Sequence, residues 1–171
     1  MVTIRDATSA DIPAIQAIYA HHVLHGLASF EEIAPSIDEM RSRYEAIVAS
    51  GKPYIAAELA GRVAGYGYAS AYRARSAYRY TLENSIYVDE RARGQGVGTA
   101  LLEALIARCR RGPWRQMLAV IGDSGNAASI GVHRKAGFRQ VGLLERVGYK
   151  HGRWVDSVLM QLELSPGDPD G

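Results

Sequence analysis

The stretch that most constrains this chain is Arg93-Gly94-Gln95-Gly96-Val97-Gly98. An apolar run, Ser85-Ile86-Tyr87-Val88, leads into it through Asp89-Glu90-Arg91-Ala92. A run with helical spacing leaves it: Thr99, Leu101, Leu102, Leu105, Ile106 and Cys109, ending near Gly112-Pro113. Strand, glycine loop and helix in that order let backbone N–H groups converge on an anion, and the positive end of the helix reinforces them. Arg91 and Arg93 add full charges. The stretch therefore reads as a diphosphate cradle. A P-loop is disfavoured, because Gly96-Val97-Gly98-Thr99 lacks the lysine. A dinucleotide fold is disfavoured, because Thr99 stands where the third glycine belongs. A glycine turn that merely caps a helix is the bland alternative, and a second motif weighs against it.

The remaining pattern gives the architecture. Strands are expected at 2–7, Tyr54–Leu59, Val63–Tyr72, Tyr78–Val88, Met117–Ile121, Phe138–Leu144 and Trp154–Leu164. Helices are expected from a Ser9 cap to about His25, from a Ser36/Glu39 capping box to Gly51, from Thr99 to Cys109, and over Ala127–Ala136. Gly65 and Gly67 mark close packing or a bulge. The order βααβββαβαββ describes an α/β fold with one central sheet flanked by helices. One domain over 1–164 is expected, then a disordered tail at 165–171 rich in Pro, Gly and Asp. A formal charge of +2 in 171 residues is too mild to argue for nucleic acid. No apolar run is long enough for a signal peptide or membrane span, and the single cysteine, Cys109, permits no internal disulfide. A cytoplasmic protein without membrane or nucleic-acid partners is the expectation. Cys109 falls on an apolar helix stripe and reads as a buried hydrophobe. His21, His22 and His25 lack an evident third ligand, so no metal is expected.

The glycine loop and the stretch Asn126-Ala127-Ala128-Ser129-Ile130-Gly131-Val132-His133-Arg134-Lys135-Ala136-Gly137-Phe138 together resemble the GNAT superfamily of N-acetyltransferases. Arg93, Gly96 and Gly98 match its loop, and the element order matches as well. The resemblance covers roughly residues 2–164 and implies the GNAT fold, with a mostly antiparallel mixed sheet, and acetyl-CoA as acetyl donor. Ala28-Ser29-Phe30-Glu31, Tyr78 to Val88 and Gly148-Tyr149-Lys150 to Trp154 are similar to the phosphinothricin and methionine sulfoximine acetyltransferases. That subfamily implies the α-amine of small amino-acid analogues as acceptor, direct transfer in a ternary complex, and a homodimer. Action on protein N-termini or lysines, and a CoA-sensing module without catalysis, are the competing functions.

Acetyl transfer needs a neutral amine, a stabilised oxyanion and a protonated thiolate. Glu83, late in its strand, is the candidate base, and the resemblance also places a carboxylate there; a solvent-facing carboxylate paired with Arg79 is the alternative. The Val88 backbone N–H, with Tyr87 beside it, is the oxyanion candidate. His133 either protonates the thiolate, as the subfamily implies, or is a helix histidine bonded locally, with Tyr149 a weaker substitute. Gly94 to Thr99, Asn126 and Ser129 are expected on the cofactor, with Arg134 a lesser candidate and Lys135 a solvated charge. Arg73 or Arg75 should hold the acceptor's carboxylate. Phe30, Tyr78 and Tyr80 should wall its side chain, with Arg79 facing away by strand alternation.

Overall fold

The computed structural model describes residues 1–166. Its elements are β1 (Thr3–Asp6), α1 (Ile12–His25), α2 (Ile37–Ala49), β2 (Tyr54–Leu59), β3 (Arg62–Ala71), β4 (Thr81–Val88), α3 (Val97–Cys109), β5 (Gln116–Gly122), α4 (Ala127–Lys135), β6 (Arg139–Lys150) and β7 (Arg153–Glu163). The order is the one read from the sequence. The strands form a single sheet, β1-β2-β3-β4-β5-β7-β6. All neighbours are antiparallel except β4 and β5. That parallel contact is short: Thr81, Leu82 and Glu83 face Gln116, Met117 and Leu118, and the register ends there. Beyond it the two strands part, which opens a gap in the middle of the sheet.

Strand alternation divides the core into two layers. On one face α3 lays Val97, Leu101, Leu102, Leu105, Ile106 and Cys109 over Ile55, Ala57, Leu82, Met117 and Met160. Burying each of these leucines contributes on the order of 2 kcal/mol. On the other face α1 and α2 bring Ile12, Ile15, Ile18, Tyr19, Val23 and Met40 onto Tyr54, Ala56 and Tyr66. Gly65 lets α3 approach: a Cβ there would lie 2.9 Å from the Tyr87 carbonyl oxygen and 2.9 Å from Val97 Cγ1. The bulge falls across from it, between Ala57 and Glu58.

Several boundaries differ from the sequence reading. Thr8, not Ser9, precedes the first turn, a 3-10 turn at Ser9–Asp11, and Asp11 is the N-cap of α1. The segment before Thr81 is not strand: Ser76–Tyr78 is a 3-10 turn. Arg79 therefore does not alternate away from its neighbours; its guanidinium lies 4.5 Å from the Tyr80 ring centroid. β6 runs on to Lys150, because His151 and Gly152 (φ 51° and 72°) make a two-residue hairpin into β7. The charged Glu145-Arg146 pair hid that continuation. Most of the expected disordered tail, from residue 167 on, lies outside the described residues.

Candidate active site

The cradle forms as its glycines require. Gly94 and Gly96 adopt φ of 74° and 80°, and nothing lies within 4 Å of where a Cβ would stand on either. Left-handed backbone suits glycine, and the space above it is open to a ligand. Gly96 is the N-cap of α3, and Ala100 N–H is the first to bond back, to the Gly96 carbonyl at 3.0 Å. The N–H groups ahead of it open off the helix end. Arg91 is committed elsewhere: it pairs with Asp89 at 2.7 Å, and this hydrogen bond brings the Asp89 carboxyl down to about 2. Arg93 is exposed and makes no ion pair among the described residues. Arg93 and the helix end are thus the positive features left exposed at the glycine loop.

The parting of β4 from β5 supplies the second part. Tyr72 N–H bonds Thr81 O, and Asp89 N–H bonds Ala64 O, so odd-numbered residues of β4 bond β3. Even-numbered ones turn their N–H and C=O toward β5. With β5 diverged, the N–H groups of Ile86 and Val88 face the gap, whereas that of Tyr87 belongs to the β3 ladder. By the same parity, from Leu164 N–H to Arg115 O and Asp123 N–H to Asp156 O, the Val120 backbone faces the gap from the other side. The neutral His22 ring, kept so by burial, donates its Nε2–H to the Val88 carbonyl at 2.9 Å and fixes the end of β4 to α1. A cavity of about 260 Å³ opens at the gap.

Glu83 stands where the strands separate and lines that cavity. Its carboxylate is half-buried without a hydrogen-bond or ion-pair partner among the described residues; Arg79 instead donates to the Ser76 carbonyl. Burial alone pushes its pKa up from the ordinary glutamate value. Asn126 and Ser129 line the same cavity, with Asn126 also capping α4 by accepting from Ser129 N–H at 3.2 Å. His133 borders it with both nitrogens engaged. Burial lowers its pKa, and Nδ1 lies 2.7 Å from the Ser129 carbonyl oxygen. Nε2 lies 3.0 Å from Asn84 Oδ1, whose amide nitrogen donates to the Leu118 carbonyl, so both ring nitrogens face acceptor oxygens and a neutral ring donates to one of them.

The loop between α1 and α2 closes the opposite side, where Ala28, Ser29 and Phe30 line the cavity. The Tyr19 hydroxyl bonds Ser29 Oγ at 2.8 Å and donates to Glu31. Arg43 grips Glu31 through two bonds of 3.0 and 2.8 Å. The buried Lys150 ammonium donates to the Ser29 carbonyl at 2.6 Å.

A family model, the acetyltransferase (GNAT) domain, matches residues 4–159. The chain belongs to the GNAT acetyltransferase family. It is 56% identical to a phosphinothricin N-acetyltransferase of Alcaligenes faecalis, over 97% of this chain and 84% of that one. It is 42% identical to an L-methionine sulfoximine/L-methionine sulfone acetyltransferase of Pseudomonas paraeruginosa, over 96% of this chain and 95% of that one. A GNAT superfamily phosphinothricin acetyltransferase from Sinorhizobium meliloti, solved in complex with acetyl-CoA, superposes with a TM-score of 0.92 at 47% identity. That match covers 95% of this chain and 88% of the other.

Within this acetyltransferase the structure gathers Phe30, Glu83, Tyr87, Asn126, Ser129 and His133 around one cavity. It does not gather all the residues singled out by sequence. Arg73, Arg75 and Tyr78 are exposed on the loop before β4 and do not line the cavity. The Arg73 guanidinium lies 5.2 Å from the Tyr72 ring centroid and 5.9 Å from that of Tyr78. Arg134 is exposed, and Tyr149 packs on Trp154 away from the cavity. Of the three histidines of α1, His21 bonds Glu90 at 3.1 Å and packs its ring 4.9 Å from that of His25, whereas His22 bonds Val88. Among the described residues no group of three or more His, Cys, Asp and Glu is placed to hold a metal. Cys109 is buried, its thiol pushed up to about 12. Sequence reasoning missed Tyr19, Arg43 and Lys150. Only tertiary contact joins them to the site, and no local spacing signals it.

Proposed function

We propose that this chain transfers the acetyl group of acetyl-CoA directly to the α-amine of small amino-acid analogues, with L-methionine sulfoximine, L-methionine sulfone and phosphinothricin as acceptors. The observation that carries the reading is Glu83: a half-buried carboxylate, without a partner among the described residues, at the point where β4 and β5 part, on a cavity that Phe30 also lines. The names of the relatives from Alcaligenes and Pseudomonas support the acceptor class, and the neighbour solved with acetyl-CoA supports the donor.

The cradle residues Arg93 to Thr99 hold the diphosphate, and the open edges of β4 and β5 accept an extended amide-bearing arm with Asn126 and Ser129 beside it. Glu83 takes a proton from the acceptor's ammonium, directly or through one water, and the neutral amine attacks the thioester carbonyl. The Val88 N–H stabilises the carbonyl oxygen as charge gathers on it. His133 is the acid for the departing thiolate, and serving it through Nε2 requires protonation there and release of Asn84. One of Arg73 and Arg75, on the exposed loop leading into β4 and outside the cavity lining, is the proposed anchor for the acceptor's carboxylate.

Thiol release from acetyl-CoA, followed with an acceptor panel, tests this. Turnover with methionine sulfone and phosphinothricin is expected. Turnover with peptides alone would establish a protein acetyltransferase instead, and CoA binding without turnover a sensing module.

We also infer a homodimer through β6. This edge strand exposes Val141, Leu143, Leu144, Val147 and Tyr149, and Trp154 of β7 continues the patch. An exposed apolar edge is a liability unless covered. Light scattering should give twice the chain mass, and Val147→Glu should halve it. A cytoplasmic location, checked by cell fractionation, fits an acetyl-CoA-dependent enzyme; no helix among the described residues is long and apolar enough to cross a membrane.

A further inference from the structure

Two glycines far apart in sequence touch the same aromatic ring. A Cβ on Gly148 of β6 would lie 2.6 Å from Phe30 Cε2 and 2.9 Å from both Cδ2 and Cζ. A Cβ on Gly122 of β5 would lie 3.1 Å from Phe30 Cε1, 2.3 Å from the Leu27 carbonyl oxygen and 3.1 Å from that of Ala28. The register explains the coincidence. Gly122 pairs with Ser157 and Gly148 with Val155, so β7 lies between the two glycines. Residues paired across strands, or two apart on one, share a sheet face. Gly122, Ser157, Val155 and Gly148 therefore form one shelf, and the Phe30 ring lies across it. Neither glycine has a left-handed φ. Space, not backbone conformation, keeps a side chain off both.

The loop cannot simply retreat from that shelf. On one side of Phe30, Ser29 is fixed by Tyr19 and Lys150; on the other, Glu31 is fixed by Tyr19 and Arg43. The ring's remaining freedom is rotation about its own side-chain bonds, and it borders the cavity that Glu83 shares.

We propose that Gly122 and Gly148 set acceptor length as positioning residues: they seat Phe30 on the shelf, and the seated ring closes the acceptor end of the cavity. This rests on the acceptor class proposed above. A methyl group on Gly148 unseats the ring and turns it over the cavity, shortening it. Removing the ring lengthens it. A difference of one methylene in an apolar pocket changes kcat/KM by roughly 10–200-fold, which makes the effect measurable.

The test compares three acceptors differing by one methylene, S-methylcysteine sulfone, methionine sulfone and ethionine sulfone, with acetyl-CoA as donor. Phe30→Ala should raise the ethionine sulfone to methionine sulfone ratio of kcat/KM about tenfold or more. Gly148→Ala should shift preference toward S-methylcysteine sulfone, leaving the acetyl-CoA KM within about twofold. Because the glycine acts through the ring, Gly148→Ala should have no further effect in a Phe30→Ala background. An unchanged ratio in Phe30→Ala, or an equal Gly148→Ala shift in both backgrounds, overturns the proposal. Phe30→Leu, a smaller cut with the same signs expected, serves if the alanine variant does not fold. Failure of the wild-type protein to use any of the three acceptors would instead overturn the acceptor class.

Discussion

The proposed cofactor end and the proposed acceptor end of this site are built by different means. The cradle between β4 and α3 is local: six consecutive residues whose glycines set the backbone and whose helix supplies the charge. The acceptor loop is assembled from distant places. Tyr19 of α1, Arg43 of α2 and Lys150 of β6 converge on Ser29 and Glu31, and Lys150 bonds a carbonyl 121 residues away. A backbone device needs few partners and fails through a single position. A side-chain device spreads its function over many contacts and loses it by degrees.

That contrast orders the expected effects of mutation. The largest belongs to neither end. Glu83→Gln should lower kcat about 10²-fold or more, as for loss of a general base, with both KM values nearly unchanged. In the wild type the base must be ionised, so kcat falls as pH drops through the Glu83 pKa. Burial raises that pKa, placing the acid limb above the ordinary glutamate range; the limb should vanish from the Glu83→Gln pH–rate profile. Next, Gly96→Val should raise the acetyl-CoA KM about 30-fold or more, because a β-branched side chain resists positive φ and projects into the open space above the loop; initial-rate kinetics check it. Glu31→Gln should raise the acceptor KM by about threefold to tenfold and spare acetyl-CoA, since Tyr19 and Lys150 still hold Ser29. Equal losses for both substrates would erase the distinction between the two ends.

The smallest effect concerns stability. A carboxyl whose pKa is raised by folding destabilises the fold once pH exceeds the unfolded-state pKa. Glu83→Gln should therefore melt slightly higher than wild type at pH 7, with the gain disappearing near pH 4. Scanning calorimetry at the two pH values reads this directly. A lower melting temperature at pH 7 would mean that the carboxylate has a native partner.

The same contrast explains what the sequence disclosed. Element order was legible because hydrophobic periodicity is local, and the cradle because glycine, arginine and a helix start follow one another. Phe30 and Glu83 were legible as candidates, but not the shelf beneath one or the strand separation beside the other. Both depend on register, which pairs Gly148 with Val155 and ends the β4–β5 contact at Leu118. Tyr78 was misplaced because its aromatic neighbours imitate a strand, while the chain there makes a 3-10 turn before Thr81. Arg73 and Arg75 have the right chemistry for a carboxylate, yet loop conformation, which spacing does not encode, leaves them exposed.

The burial of Cys109 carries a practical consequence. A disulfide reagent reacts with thiolates, and this protein's one thiol, on the last residue of α3, is packed in the core with its pKa pushed up to about 12. In the folded enzyme such a reagent therefore counts released CoA against a silent background. On unfolding, Cys109 becomes reactive, so one colorimetric readout reports turnover below the melting transition and loss of the core above it.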